Sequence, residues 1–138
     1  MATDEASFKL EFKKDLRNFL PESMMWANSD KFTSGLPDFC VIDSAKFIAI
    51  EAKFTKALPK RPTSKVLDHP VSAAQKAFLC KVLAQGLPAF VLIGTPTAAV
   101  IMDKIQENYT LEECLTAPRI LKENGRWKVE VLCEFWRH

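Results

Sequence analysis

The stretch S-G-L-P-D-F-C-V-I-D-S-A-K-F-I-A-I-E-A-K-F-T-K, residues 34–56, decides the reading of this chain. Gly35 and Pro37 punctuate a polar loop, and two apolar runs follow, 39–42 and 46–54, separated by a tight turn near 43–45. Such a pair reads as an antiparallel hairpin. Side chains of a strand alternate between its two faces. Over 47–53 the odd positions set Glu51 and Lys53 on one face, while Ile48, Ile50, Ala52 and Phe54 fall on the other. A carboxylate and an ammonium thus project together from the end of a largely apolar strand. Asp38 opens the preceding strand, 13 residues before Glu51, where a hairpin brings it alongside.

Outward from the hairpin, Phe8, Phe12, Leu16, Phe19 and Leu20 recur at spacings of three and four, predicting an amphipathic helix over 5–20 that Pro21 stops. Residues 23–27 read as a short strand. Residues 55–71 hold three prolines and form a loop. Ser72 then caps a helix, with Gln75 three residues on in a capping-box pattern. Its stripe is Ala74, Phe78, Leu79, Val82 and Leu83, and Gly86 is its stop. Residues 88–93 are apolar without interruption, as a strand buried on both faces would be. A further strand is expected at 98–102 and a short helix at 110–115, where Thr110 and Glu113 repeat the capping pattern. The tail, 120–122 and 127–135 around Asn124–Gly125, reads as a β-hairpin. The order is that of an α/β fold, and 138 residues suit a single domain.

Composition narrows the function classes. No apolar run approaches the roughly 20 residues of a membrane span, and the N-terminal residues 1–9 carry two acids where an export signal carries bases. A protein that is not secreted and not in a membrane is expected, cytoplasmic or nucleoid-associated. The four cysteines form no C-x-x-C pair, which speaks against a disulfide scaffold or a zinc ribbon. The net charge of +2 conceals a division. Residues 1–52 carry 6 bases and 9 acids, 53–102 carry 7 and 1, and 103–138 carry 6 and 7. Lys53, Lys56, Lys60, Arg61 and Lys65 fall within 13 residues that contain no acid. Such a run is either a solvated loop or a surface for a polyanion.

Two carboxylates held side by side repel unless a cation lies between them. Oxygen ligands of this kind suit Mg²⁺, which takes one or two carboxylates and keeps several waters. A neighbouring lysine then either orients or helps to deprotonate a metal-bound water, or stabilises charge developing on a phosphate. The plainer alternative is a salt bridge at a hairpin end, Lys53 with Asp38 or Glu51.

The pattern G-x-P-D-x(12)-E-A-K, formed by Gly35, Pro37, Asp38, Glu51, Ala52 and Lys53, resembles the PD-(D/E)XK nuclease motif. The helix opening S-A-A-Q at 72–75 and the strand A-F-V-L-I-G at 89–94 resemble the elements that follow it. The likeness covers roughly residues 5–94 and is greatest to the small VRR-NUC and Holliday-junction-resolvase-like branches. It implies a restriction-endonuclease-like αβββαβ core with a central mixed sheet flanked by helices, over about 5–102. Residues 103–138 would form a C-terminal extension ending in the hairpin. It further implies Asp38 and Glu51 as Mg²⁺ ligands (Mn²⁺ as the substitute), the Ala52 carbonyl as another, and Lys53 as the catalytic lysine. Family members add an acid from the first helix. Glu11, which flanks the apolar stripe, is the choice, with Glu5 and Asp15 as rivals. Gln75 would contact the lysine, a water or DNA, although its capping role explains it without catalysis.

The function so implied is Mg²⁺-dependent hydrolysis of DNA phosphodiester bonds that leaves 5′-phosphates, with branched DNA as the first substrate to test. A homodimer is expected on the same ground, because a symmetric junction needs two cuts. The DNA contacts would come from Lys56, Lys60 and Arg61 after the second strand, and from Lys31 and Ser34 before the first. Trp26, Trp127 and Trp136 either stack on bases or belong to the core. The alternative reading is a nuclease-like fold that binds nucleic acid without cutting it.

Overall fold

Asp4 accepts a hydrogen bond from the Ser7 N–H and so caps α1 (Glu5–Phe19), the first helix of the computed structural model, which describes residues 4–27 and 36–137. The spacing of three and four places Phe8, Phe12 and Leu16 on one buried stripe. The chain then enters β1 (Met24–Ala27), β2 (Phe39–Asp43) and β3 (Lys46–Phe54), each antiparallel to the one before. Lys31, Ser34 and Gly35 lie outside the described residues, as do the side chains of Trp26 and Trp136.

After β3 come α2 (Ala73–Ala84) and β4 (Ala89–Gly94), which pairs parallel to β3. Parallel neighbours cannot be joined by a tight turn, and the loop with α2 provides the crossover. β5 (Ala98–Met102), β6 (Arg119–Glu123) and β7 (Arg126–Trp127) continue antiparallel, with α3 (Leu111–Thr116) between β5 and β6. Seven strands among the described residues thus form one mixed sheet in chain order.

The alternation expected for β3 divides the core. Ile48, Ile50 and Ala52 pack with Phe8, Phe12, Leu16 and Trp127 on the α1 side. Ala49 packs with Val71, Leu79, Val91 and Tyr109 on the other. All of β4 is buried, as its unbroken apolar run requires. Trp127 belongs to the core: its ring meets Phe8 edge-on, centroids 5.3 Å apart. α1 comes close to β4 because residue 94 is glycine. A Cβ there would lie 2.6 Å from the Phe8 ring.

Two expectations are corrected. Residues 127–135 are not a long hairpin strand: β7 stops after two residues and α4 (Glu130–Arg137) follows. After Trp127, Val129, Leu132 and Cys133 are buried at helical spacing, and an alternating strand would have exposed one of the three. In α2, the capping box of Ser72 and Gln75 is formed, but only Leu79 of the stripe is fully buried and Leu83 remains 40% exposed. Apolar residues surround this helix, so spacing does not single out the face that packs.

Candidate active site

Phe39 pairs with Ile50, so continuing the register by one position sets Asp38 opposite Glu51. Asp38, just before β2, lies beside Glu51, which projects from the face of the sheet away from α1. Lys53 lies two residues on, on the same face, and both Glu51 and Lys53 are buried. The hairpin read from the sequence therefore brings Asp38, Glu51 and Lys53 together.

Each carboxylate is held by identifiable donors. Asp38 Oδ2 accepts the Ala52 N–H at 2.8 Å, and its Oδ1 accepts the Lys9 ammonium at 2.8 Å. Glu51 Oε2 accepts the Gln75 side-chain amide at 2.9 Å and lies 3.7 Å from Lys53 Nζ. Gln75 performs both tasks considered for it. Its carbonyl oxygen accepts the Ser72 N–H at 3.0 Å to close the capping box, while its amide nitrogen reaches Glu51.

The other Glu51 oxygen, Oε1, is buried and has no hydrogen-bond partner. Natural interiors rarely leave a carboxylate oxygen so placed. Burial, followed by the charge of the neighbouring Asp38, pushes the Glu51 carboxyl up to about 8. Lys53 and Lys9 pull in the opposite direction and lose. An orphaned oxygen between two facing carboxylates fits a hard divalent cation with an oxygen-rich coordination shell. Among the described residues no third carboxylate, histidine or cysteine joins them in a cluster. Such a donor set suits an ion that retains several waters.

Glu11, expected as a further ligand, is not brought to this pair. It lies on the far flank of α1, where its Oε1 contacts Lys122 at 2.5 Å. Asp15 accepts the Trp127 N–H at 2.8 Å. Of the three first-helix acids Glu5 comes nearest, 3.2 Å from the Lys9 ammonium that also holds Asp38. Lys9 itself escaped the sequence reading. Its spacing of four from Glu5 signals an ion pair on the helix, but nothing local announces a partner 29 residues away.

Lys56, Lys60 and Arg61 are exposed on the loop that leaves β3 and take part in no ion pair among the described residues. Cys40, Cys114 and Cys133 are buried, and Cys80 is exposed. No helix among the described residues is long and apolar enough to cross a membrane.

Comparison with solved structures finds a similar chain in Hjc, a Holliday junction resolvase from the archaeal hyperthermophile Archaeoglobus fulgidus. The TM-score is 0.52 at 17% sequence identity, covering 78% of this chain and 93% of that one. No protein-family profile matches the sequence, and no curated protein does. At this identity the likeness shows the fold. The mixed sheet with its flanking helices is a restriction-endonuclease-like α/β arrangement.

Proposed function

We propose that this chain is a Mg²⁺-dependent endodeoxyribonuclease that hydrolyses DNA phosphodiester bonds at Asp38, Glu51 and Lys53. The observation that carries the reading is the buried, partnerless Oε1 of Glu51 beside Asp38. A pair of carboxylates in that condition has a reason to exist if a divalent cation completes it, with Mn²⁺ as the substitute. The Ala52 carbonyl joins the ligand set on the strength of the motif.

Bound there, the cation would supply Lewis acidity and countercharge at a phosphodiester. The chain's own residues hold the geometry. The Ala52 N–H and Lys9 fix both oxygens of Asp38, and Gln75 fixes Oε2 of Glu51. Lys53, buried beside Glu51, places an ammonium where negative charge develops on the phosphate. Lys56, Lys60 and Arg61 grip flanking phosphates, a sequence-independent and salt-dependent contact.

Branched DNA is the substrate to test first, because the structural neighbour is described as a Holliday junction resolvase. Two cuts across a symmetric junction would then call for a homodimer. The test is nicking of supercoiled, linear, flapped and four-way DNA with Mg²⁺, by wild type and by Glu51→Ala. Wild type should cut at least one of these, and the variant should be slower by about 10²-fold or more. If wild type binds DNA but cuts none of them, the fold serves as a binding module and the enzyme reading fails.

A further inference from the structure

The sheet edge that carries Lys53 continues beyond β3. β3 and β4 end together, with Phe54 opposite Gly94 and the Thr55 N–H on the Gly94 carbonyl at 2.9 Å. β5 departs from that edge and β6 returns to it, with Leu121 opposite Ala98. The ends of β3 and β4, the turn before β5 and the β6–β7 turn therefore lie in one row. Three strand spacings separate β3 from β6, about 14 Å.

At the far end of this row a cleft of about 640 Å³ opens between α1 and the β6–β7 hairpin, beside Thr97. Lys14, Lys122 and Arg126 line it together with Glu11 and Asp15. The two acids are engaged. Glu11 is paired with Lys122, and Asp15 accepts the Trp127 N–H. Lys14 and Arg126 are exposed and form no ion pair among the described residues. Their charges are open to an anion.

We propose that this cleft is a second phosphate-binding subsite, one that holds the backbone of a DNA arm running past this sheet edge from the bond cut at Asp38 and Glu51. The proposal rests on the nuclease reading and extends it. It gives the residues after 103 a task, since β6 and β7 supply two of the three cations. Contacts of this kind set the register of the duplex and carry no base information.

The test is the salt dependence of binding to a 30-base-pair duplex and to a four-way junction, in Ca²⁺, for wild type, Lys14→Gln/Arg126→Gln and Lys46→Gln/Arg119→Gln. The second pair removes the same charge from the opposite edge, where β3 and β6 begin. The cleft variant should lower the slope of log affinity against log salt by about 1.8 and weaken binding about 10- to 100-fold at low salt. The control should keep the wild-type slope, and both should melt as wild type does. Equal slopes for cleft variant and control would overturn the subsite and leave the nuclease reading standing. A wild type that binds no DNA would overturn both.

Discussion

The Lys9 ammonium lies 2.8 Å from Asp38 Oδ1 and 3.2 Å from Glu5 Oε2, so a side chain of the first helix closes an ion-pair chain onto the residue just before β2. The site therefore contains its own countercharge. Lys9 offsets Asp38 from one side and Lys53 approaches Glu51 from the other, yet Glu51 still favours its proton up to about pH 8. Burial outweighs both ammonium groups.

Replacing Lys9 with Met keeps most of the stem and removes the charge. An ammonium near a metal ligand repels an incoming dication. At about 5 Å and an effective dielectric constant near 20, one pair of unit charges interacts by about 3 kcal/mol before salt screening. Lys9→Met should bind Mg²⁺ about tenfold more tightly by isothermal titration, even after screening takes most of that energy. Weaker binding would mean that Lys9 matters as the clamp on Asp38, and the repulsion argument would fail.

Glu51 gives the metal-free protein a defined pH dependence. Its carboxyl titrates near 8 when folded, against an ordinary value of 4.5. Between these values the folded chain keeps a proton that the unfolded chain has lost, so stability falls as pH rises through the window. Glu51→Gln removes this titration and keeps an amide that can donate to Asp38. In EDTA the variant should match wild type near pH 4.5 and exceed it at pH 8.5, by roughly a few kcal/mol at most. Urea denaturation at several pH values measures the gap, and a gap independent of pH would refute the assignment. With Mg²⁺ at 100 times its dissociation constant, wild type alone should gain about 2.7 kcal/mol.

The two roles of Gln75 can be separated. Glutamate at the same position also closes a capping box, but it removes the amide donor 2.9 Å from Glu51 Oε2 and adds a negative charge. In EDTA at about pH 9, where Glu51 has lost its proton, Gln75→Glu should cost about 2 kcal/mol, since a charged hydrogen bond is exchanged for repulsion. Divalent cation should recover much of that loss. Gln75→Ala lacks the added acid, so its deficit should not respond to metal beyond the wild-type response. Equal metal responses in the two variants would show that residue 75 acts on the helix cap alone.

Local chemistry accounts for what could be read in advance. The alternation over 47–53, the tight turn at 43–45 and the capping residues Ser72 and Thr110 are properties of neighbouring residues, and each appears where expected. Asp38 and Glu51 were legible as a pair because a hairpin converts sequence spacing into register. The tail was misread because 127–135 is short and apolar, and a two-residue strand running into a helix presents the same composition as a longer strand. The first-helix acid was misjudged for a different reason. Glu11 and Lys9 both flank the buried stripe, and only tertiary packing decides which flank faces Asp38 and which faces Lys122. That packing depends on a contact no local pattern displays, between Phe8 and Gly94.

Gly94 is where the fold and the site meet. The ring of Phe8 is fully buried against it and between Phe12, Phe54 and Trp127, with centroids 5.3 to 5.9 Å away, so the ring has nowhere to retreat. A methyl group at residue 94 would meet ring carbons at 2.6 Å, and α1 must move outward to admit it. Lys9 follows Phe8 directly, so the same movement draws its ammonium off Asp38. Gly94→Ala should therefore lose about 1 to 3 kcal/mol in urea denaturation and should also change Mg²⁺ affinity in the direction of Lys9→Met. Phe8→Leu vacates part of the ring volume, so the double variant should be more stable than the two single losses predict, by about 1 kcal/mol. Additive losses would mean that the overlap relaxes elsewhere. An unaltered Mg²⁺ affinity in Gly94→Ala would break the link between this helix contact and the carboxylate it clamps.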